Sequence, residues 1–547
     1  MYYFYANLKD LIQFIRNNYI FSSMINNFCS FYLIPMQSNF ICFEDISLIF
    51  PEIFFGMSIL MLIFHGVLLS ANKVYPLIQK SIINISILLL FFIFILVFNN
   101  TIIDHFSFFN NTIILDPLAL YTKQLILLAA MICLLSIVNY LEYQKINSFE
   151  YIILILFAIF GLVLLCSSND LITSYLAIEL QSLSFYLLAT FKKNSIFSTE
   201  SGLKYFILGA LSSSLFLFGS SLVYGTIGTT NFEDYKDLFF YSYNEIKFFE
   251  STYYLNLLQL GFLFITLSLF FKLALAPFHV WSPDVYEGSL TSSTIFFAII
   301  PKLSLFCLLV RIFQSNFCDF IIYWRYYFVI IALLSIIIGS FAGLEQRKIK
   351  SLIAYSSISH MGYALLAYSS GTIEGIQALF CYLIIYMLSG ICLWTIFLMI
   401  KFKNNFNNKG NKDLSDFILL NKTNTLVSII FSTVILSLAG FPPLIGFYVK
   451  LNIFLTVIES SIYFAAIIGI ICSVISTFYY IRLIKVLYFE SGIVGNLYIS
   501  ISYIFSLILT SCFYLLIISE LKFLIHQFLS VVCQSLNFVF YFQLFPS

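Results

Sequence analysis

The sequence predicts an all-α polytopic membrane protein with about fourteen transmembrane helices. The chain of 547 residues is 61% hydrophobic and only 10% charged, against about 45–50% and about 25% in soluble domains. Its mean hydropathy of +0.98 leaves no room for a large soluble domain. Helices are the expected spanning elements because a helix satisfies its backbone hydrogen bonds within one segment.

Windows of about 20 apolar residues define the fourteen predicted spans. In chain order they lie near 47–70, 81–99, 116–138, 149–168, 171–191, 203–226, 255–278, 289–312, 326–343, 351–369, 375–400, 425–457, 462–481 and 496–518. They form one transmembrane domain, 46–520, between a mixed N-terminal extension, 1–45, and a short tail, 521–547.

Basic residues predict the orientation of these spans. Of the 27 lysines and arginines, nineteen lie in loops or at helix ends, and fifteen of those nineteen fall on the side reached by the odd-numbered loops. Lysine and arginine are retained on the cytoplasmic or matrix side of a membrane. Both termini are therefore predicted on the outer side.

Composition excludes several classes of function. The net charge of +1 gives no reason to expect a nucleic-acid partner. The eleven cysteines are scattered singly, without the CxxC spacing of metal, iron–sulfur or redox sites. We therefore expect no metal and no redox cofactor in this chain.

Five charged side chains interrupt stretches that are otherwise apolar, and each is expected roughly mid-helix in its apolar segment: Glu179, Lys204, Lys272, Lys302 and Lys450. An ionised group at bilayer depth costs about 2.5–3.5 kcal/mol on insertion scales. Such residues are retained because they move protons or ions, or because they pair and hold helices together. A desolvated lysine releases its proton more readily, and a nearby carboxylate opposes that release. Both interpretations remain open at this point.

Three of the four lysines lie close to prolines predicted to break their helices, which are Pro277, Pro301, Pro442 and Pro443. Proline removes a backbone donor and crowds the carbonyl four residues earlier, so the seventh span should open near Leu273. A broken helix beside an ionisable residue is how secondary transporters build a polar site. The histidines His279 and His360 are candidate relays between the lysines, although a lone histidine often only forms structural hydrogen bonds.

The broken spans 7 and 12 occupy corresponding places in two blocks of five spans. The blocks are spans 4–8, about 149–312, and spans 9–13, about 326–481. An odd number of spans inverts the second copy relative to the first, which is the inverted-repeat arrangement of secondary transporters.

Five collinear segments resemble the antiporter-like membrane subunits of NADH:ubiquinone oxidoreductase, respiratory complex I, in particular the subunit 2 group, called subunit N in bacteria. They are SSNDLITSYLAIELQSLSFYLLATF, STESGLKYFILGALSSSLFLFGSSLVYG, FKLALAPFHVWSPDVYEGS, QRKIKSLIAYSSISHMGYALLA and LAGFPPLIGFYVKL. The resemblance runs from about 47 to 490. The related subunit 4 group has a glutamate where this chain has Lys450, which favours subunit 2.

The resemblance implies a proton path along a central polar axis. Glu179 and Lys272 match the family's glutamate–lysine pair, Lys302 the central lysine, Lys450 the terminal lysine, and Lys204 an additional lysine. It also implies that partner subunits of the membrane arm assemble with this chain among lipids. NADH, FMN, iron–sulfur clusters and ubiquinone would be bound by other subunits.

The resemblance further implies a place in the mitochondrial inner membrane. The N-terminus, MYYFYANLKD, has no transit-peptide pattern, so we expect synthesis inside the organelle. Two other interpretations stay open. One is a Mrp-type cation/proton antiporter subunit without a redox partner, and the other is a structural spacer in which the charges only clamp helices.

Overall fold

The structure, a computed structural model, describes most of the chain between residues 43 and 517. The described ranges are 43–71, 78–100, 106–144, 146–235, 252–315, 321–402, 413–418, 420–490, 497–499 and 503–517. The predicted tail, 521–547, and residues 1–42 of the predicted extension lie outside them.

The described chain is almost entirely helical, and we number its helices in chain order. They are α1 Phe43–Ala71, α2 Ile78–Asn99, α3 Pro117–Tyr143, α4 Glu150–Ser167, α5 Leu171–Thr190, α6 Ile196–Ile227, α7 Thr252–Leu273, α8 Trp281–Gly288, α9 Thr291–Val310, α10 Ile321–Leu344, α11 Ile349–Tyr368, α12 Ile373–Met399, α13 Leu420–Thr423, α14 Thr425–Ala439, α15 Ile445–Glu459, α16 Tyr463–Tyr488 and α17 Tyr503–Ile517. Short antiparallel pairs join β1 Phe106–Phe108 to β2 Ile113–Leu115, and β3 Ile400–Phe402 to β4 Leu497–Ile499.

Within the described ranges, eleven helices are long and apolar enough to cross a membrane. They are α1 to α7, α9, α10, α12 and α16. The prediction of a helical, multi-pass membrane protein is therefore confirmed. Of the other predicted spans, α11 is rich in serine, α14 and α15 are the halves of an interrupted segment, and α17 has only 15 described residues.

Two predicted spans are interrupted where the sequence places prolines. Helix α7 ends at Leu273, and the chain becomes helical again only at Trp281. Helix α14 ends at Ala439 and α15 begins at Ile445. The predicted seventh span ends at 278 and the eighth begins at 289, so the sequence does not predict the half-helix α8. Its polar composition, WSPDVYEG, gave no apolar signal.

Pro301 does not break its helix, contrary to the prediction. It lies inside the continuous helix α9, and all twenty residues from Thr291 to Val310 are buried. Close packing on all sides holds the helix together where proline removes one backbone hydrogen bond.

Helix α9 is the centre of the described bundle. It packs against α3, α4 and α12, and α12 in turn packs against α15. The half-helix α8 contacts both α6 and α11. Side chains of α7, α9, α11, α12 and α15 are thereby brought towards one buried polar zone.

Candidate functional site

Lys302 lies on the fully buried helix α9 and is itself only 6% exposed. Its Nζ donates a hydrogen bond to the hydroxyl of Tyr386 on α12 at 2.9 Å. The same ammonium lies 4.7 Å from the centroid of the Tyr386 ring, a cation–π distance. The side chain is thus held by a neutral phenol.

Lys450 is held by the interruption between α14 and α15. Its Nζ donates to the carbonyl oxygens of Leu438 and Ala439, at 2.8 and 2.9 Å. The last carbonyls of a helix have no partner within it, so the end of α14 supplies acceptors at this depth. Gly440 has a left-handed φ of +87°, and a Cβ there would lie 3.0 Å from Lys450 Cδ. Glycine therefore permits both the turn and the approach of the lysine.

His360 on α11 links two tyrosines between these lysines. Its Nδ1 lies 2.6 Å from the hydroxyl of Tyr382, and its Nε2 lies 3.0 Å from that of Tyr480. A neutral imidazole donates from one nitrogen and accepts at the other, so the contacts form a chain through which a proton can pass. His360 interacts electrostatically with both Lys302 and Lys450.

A small cavity lies beside this histidine. Its volume of about 20 Å³ is enough for about one water molecule. Its lining includes His360, Tyr382, Tyr386, Ser389 and Lys450. Tyr386, the partner of Lys302, and Leu438, a partner of Lys450, therefore border one small cavity.

Lys272 and Glu179 are close in the structure but do not form an ion pair. Lys272, the penultimate residue of α7, donates to the hydroxyl of Tyr186 on α5 at 3.2 Å. Glu179 accepts a hydrogen bond of 3.3 Å from Ser182 on its own helix, and it interacts electrostatically with Lys272 and Tyr186. The phenol of Tyr186, rather than the carboxylate, is the direct partner of the lysine.

Lys204 is exposed and lies in the first third of its helix rather than at the middle. It is the ninth residue of the long helix α6 and is 46% exposed. Its Nζ forms ion pairs with Asp284 on the half-helix α8 and with Glu200, both at 2.8 Å. Because two carboxylates hold this lysine, the structure does not support the expectation that it acts directly on Glu179.

His279 does not join the row of polar side chains formed by Lys272, Lys302, His360 and Lys450. It lies in the non-helical segment between α7 and α8, with its ring 6.4 Å from that of Tyr355. Its Nδ1 is buried and has no hydrogen-bond partner within the described ranges. Pro277 lies in the same segment, as Pro442 and Pro443 do in the second interruption.

Sequence reasoning missed the partners of the lysines. The four tyrosines that hold Lys272, Lys302 and His360 are Tyr186, Tyr382, Tyr386 and Tyr480. A tyrosine inside an apolar helix is a weak signal, since its ring is at home there and only its hydroxyl needs a partner. Asp284, in the quoted segment WSPDVYEGS, was also missed.

Two buried ion pairs lie outside this row. Lys123 on α3 and Glu52 on α1 are 2.5 Å apart, and both are almost completely buried. Arg311, directly after α9, pairs at 2.8 Å with Asp116, which also caps the N-terminus of α3. In contrast, Lys272, Lys302 and Lys450 have no carboxylate at ion-pair distance within the described ranges.

The arrangement is suited to proton transfer. Amine, phenol and imidazole groups alternate with backbone carbonyls along the row. Each amine, phenol or imidazole can donate a proton in one protonation state and accept a proton in another. The part of the chain that the structure describes contains no group of three or more His, Cys, Asp or Glu side chains placed to hold a metal ion.

Comparison with known families matches most of the chain. The family described as NADH:quinone oxidoreductase/Mrp antiporter, TM, matches residues 168–476. The chain is 40% identical over 449 residues to NADH-quinone oxidoreductase subunit N of Pelagibacter ubique, covering 82% of this chain and 90% of the relative. It is 39% identical over 462 residues to NADH-ubiquinone oxidoreductase chain 2 of Marchantia polymorpha, with coverage of 82% and 90%.

Solved structures share the fold. A chain of respiratory complex I from Thermus thermophilus with bound aureothin is similar with a TM-score of 0.70 and 26% identity, over 85% of this chain and 96% of that chain. A chain of the Mrp complex from Dietzia sp. is similar with a TM-score of 0.73 and 17% identity, over 90% and 97%. At that identity the Mrp chain shows the common fold alone.

Proposed function

The chain belongs to the NADH:quinone oxidoreductase/Mrp antiporter transmembrane family, with subunit N and chain 2 of NADH:quinone oxidoreductase as relatives over most of its length, and from this premise we propose that it translocates protons as a core membrane subunit of a respiratory complex I. Partner subunits would oxidise NADH with FMN and iron–sulfur clusters and reduce ubiquinone. This chain would use the energy released, carry no redox chemistry itself, and contact neighbouring antiporter-like subunits and lipids.

The observation that carries the proposal is the way three lysines are held, of which Lys302 and Lys450 are buried and Lys272 is partly buried. Lys272 and Lys302 donate to phenols, and Lys450 donates to backbone carbonyls. A lysine that is paired with a carboxylate leaves a buried, unpaired charge behind when it loses its proton. A lysine held by neutral groups leaves no such charge, so it can be charged and discharged in each cycle.

The second half of the row provides the most continuous connection. Tyr386 contacts Lys302, the ring of His360 lies 5.4 Å from that of Tyr386, and the cavity beside His360 is also lined by Lys450. We assign Lys302 as the central carrier, His360 as the relay and Lys450 as the terminal carrier. One water molecule in the cavity would bridge Lys450 and the hydroxyl of Tyr382, which contacts His360.

Glu179 would act on Lys272 through the electrostatic field of its carboxylate. A nearby carboxylate favours the protonated lysine, and the phenol of Tyr186 is the group in direct contact. A shift of Glu179 towards or away from Tyr186 would therefore change how readily Lys272 releases its proton. Lys204 would hold the half-helix α8 through Asp284.

We further propose fourteen transmembrane spans in the mitochondrial inner membrane, with both termini facing the intermembrane space. The chain 2 proteins of plants among its relatives support the organelle, and the distribution of basic residues supports the orientation. Spans 4–8 and 9–13 would be inverted repeats, with interruptions after Leu273 and Ala439.

Alanine substitution of Lys272 and of Glu179, each in the assembled complex, tests the proposal. We expect assembly close to that of the parent but fewer protons moved for each NADH oxidised, or turnover reduced about tenfold or more, since a proton-transfer group typically contributes about 10²–10⁴-fold to the rate. Lys193→Ala is the control, because Lys193 is an exposed loop lysine. Weakened assembly with unchanged pumping per electron would instead indicate a structural spacer.

The Mrp-type antiporter is the alternative, and the fold is compatible with it. The identities to subunit N and chain 2 favour complex I. Affinity purification of the chain from its own membranes separates the two. We expect it within a large NADH-oxidising assembly, whereas a small assembly without that activity would contradict the proposal.

A further inference from the structure

A buried lysine outside the row, Lys350, has the same kind of partner as Lys272, Lys302 and Lys450. Lys350, the second residue of α11, is 7% exposed. Its Nζ donates to the carbonyl oxygen of Ser289, just after the half-helix α8, at 2.8 Å. Within the described ranges no carboxylate lies at ion-pair distance from it. In the sequence, Lys350 is one of the nineteen basic residues of loops and helix ends.

Charged groups beside Lys350 lead from the surface to this lysine. Lys348 is 46% exposed and forms an ion pair with Glu287, which is 24% exposed. Glu287 lies on α8 and interacts electrostatically with Lys350. A proton donor in contact with solvent is thus next to a buried lysine. The positive-inside pattern assigns this end of the bundle, where α6 and α11 begin and α8 ends, to the matrix side.

Polar side chains continue from Lys350 towards Lys302. Ser357 is seven residues further along α11, so it lies on the same face about 10 Å deeper. Its hydroxyl donates to the carbonyl oxygen of Ala354 on its own helix at 2.7 Å and lies near enough to the hydroxyls of Tyr286 on α8 and Tyr386 on α12 to interact with them. Tyr386 in turn accepts the hydrogen bond from Lys302. Tyr286 and Ser357 are both 2% exposed, so this route is shielded from lipid.

We propose that Lys350 is the proton-uptake site for Lys302, supplied by Glu287 at the surface and connected through Tyr286, Ser357 and Tyr386. The inference rests on the proposed proton translocation and adds the side and the residues of uptake. Solvent protonates the Glu287 carboxylate, the resulting carboxylic acid gives that proton to the neutral Lys350 amine, and the Lys350 ammonium passes a proton through water to the hydroxyls and on to the neutral amine of Lys302. No other bond is formed or broken, and each donor is restored by the next proton.

A structural role is the competing explanation, because a cation near Ser289 also stabilises the C-terminal end of α8. Arginine separates the two roles. It stays charged at all accessible pH values, so Lys350→Arg keeps a cation at the helix end but cannot release a proton. Lys350→Met removes both functions, and Glu287→Gln removes the surface donor.

The experiment compares these variants with Lys193→Met in complex reconstituted into sealed vesicles, by assembly on native gels, NADH oxidation and proton uptake. We expect Lys350→Arg to assemble like the parent and to lose most of its proton translocation, with a larger solvent deuterium isotope effect on the turnover that remains. Normal translocation by Lys350→Arg would overturn the inference. Lys302→Met is measured in parallel. If it is impaired while Lys350→Arg is normal, only the uptake route fails, whereas normal translocation by both contradicts the proposed function itself.

Discussion

Lys123 and Lys302 are both buried inside the bundle, yet the structure holds them in opposite ways. Lys123 on α3 faces a carboxylate, Glu52 on α1, at 2.5 Å. Lys302 on the adjacent helix α9 faces only the phenol of Tyr386 at 2.9 Å. A close ion pair fixes both charges, because discharging either one leaves the other buried and uncompensated. Burial alone therefore does not distinguish a fixed charge from a transferable one, and we propose that the nature of the partner does.

The pair between Arg311 and Asp116 belongs with Lys123 in this comparison. Asp116 accepts from the guanidinium of Arg311 and from the backbone N–H of Ala119. It thus anchors the start of α3 to the end of α9. Lys272, Lys350 and Lys450 belong with Lys302, since each is held by a hydroxyl or by carbonyls. If the comparison is right, the lysine and arginine that are paired with carboxylates contribute to stability. The lysines that are held by hydroxyls or carbonyls contribute to proton transfer.

Glu52→Gln should give the largest loss of stability, because it leaves Lys123 buried without a counter-charge. Breaking a buried pair in this way costs about 3–5 kcal/mol. The yield of assembled complex, and the temperature at which it dissociates on native gels, measure the effect. The double variant Glu52→Leu with Lys123→Met should recover most of the loss, since it removes both charges. Equal stability of the single variant and the parent would contradict a structural role for this pair.

Asp116→Asn should have a smaller effect of the same kind. Asparagine caps a helix about as well as aspartate, so the change removes only the negative charge that faces Arg311. A hydrogen bond to a charged group contributes about 1.5–3 kcal/mol. Heat dissociation of the complex checks this, with Asp413→Asn as control because Asp413 is also an N-cap residue and has no ion pair within the described ranges. Reduced pumping at full stability would place Asp116 in the transfer group instead.

Tyr386→Phe should change the stability of the complex little but reduce proton transfer strongly. It removes one hydrogen bond, with a net contribution of about 1 kcal/mol, and keeps the ring beside Lys302. Without the hydroxyl, Lys302 loses its connection to the uptake route and to the cavity beside His360. Proton translocation by assembled complex is the measurement, and Tyr326→Phe, at an exposed tyrosine of α10, is the control. Unchanged translocation would remove Tyr386 from the path.

Lys204→Ala should have the smallest effect on stability. Its two ion pairs are exposed to solvent, where such pairs contribute little. We expect normal assembly and a modest change in turnover from a looser half-helix α8. The comparison of interest is with Lys272→Ala, measured in the same membranes. A loss as large as that of Lys272→Ala would mean that Lys204 carries protons after all.

The sequence singles out the lysines because a charge inside an apolar stretch is visible without a structure, but it does not show that Lys204 is exposed and paired with Asp284 and Glu200. It also predicts the interruption after Leu273 from Pro277 and the one after Ala439 from Pro442 and Pro443. It fails at Pro301, because tight packing around α9 outweighs a single missing hydrogen bond. Local sequence contains the tendency to break a helix, and the tertiary environment decides the outcome.

The sequence does not show which residues contact the buried lysines. Glu52 and Lys123 are 71 residues apart, as Lys302 and Tyr386 are 84 apart, and nothing in either local pattern indicates which residue will face which lysine. In the sequence Lys350 stands close to Arg347 and Lys348, among the basic residues of loops and helix ends, although the structure buries it against Ser289. The distinction between a fixed and a transferable charge therefore becomes visible only after the helices are packed.

The most direct test sets the two kinds of buried lysine against each other in one assay. Complexes carrying Lys302→Met, or the double change Glu52→Leu with Lys123→Met, are reconstituted into vesicles, and the protons translocated per NADH oxidised are measured. We predict that the Lys302 variant assembles but translocates poorly, while the double variant translocates at the parental ratio. Parental translocation by the Lys302 variant, or loss of translocation by an assembled double variant, would contradict the account.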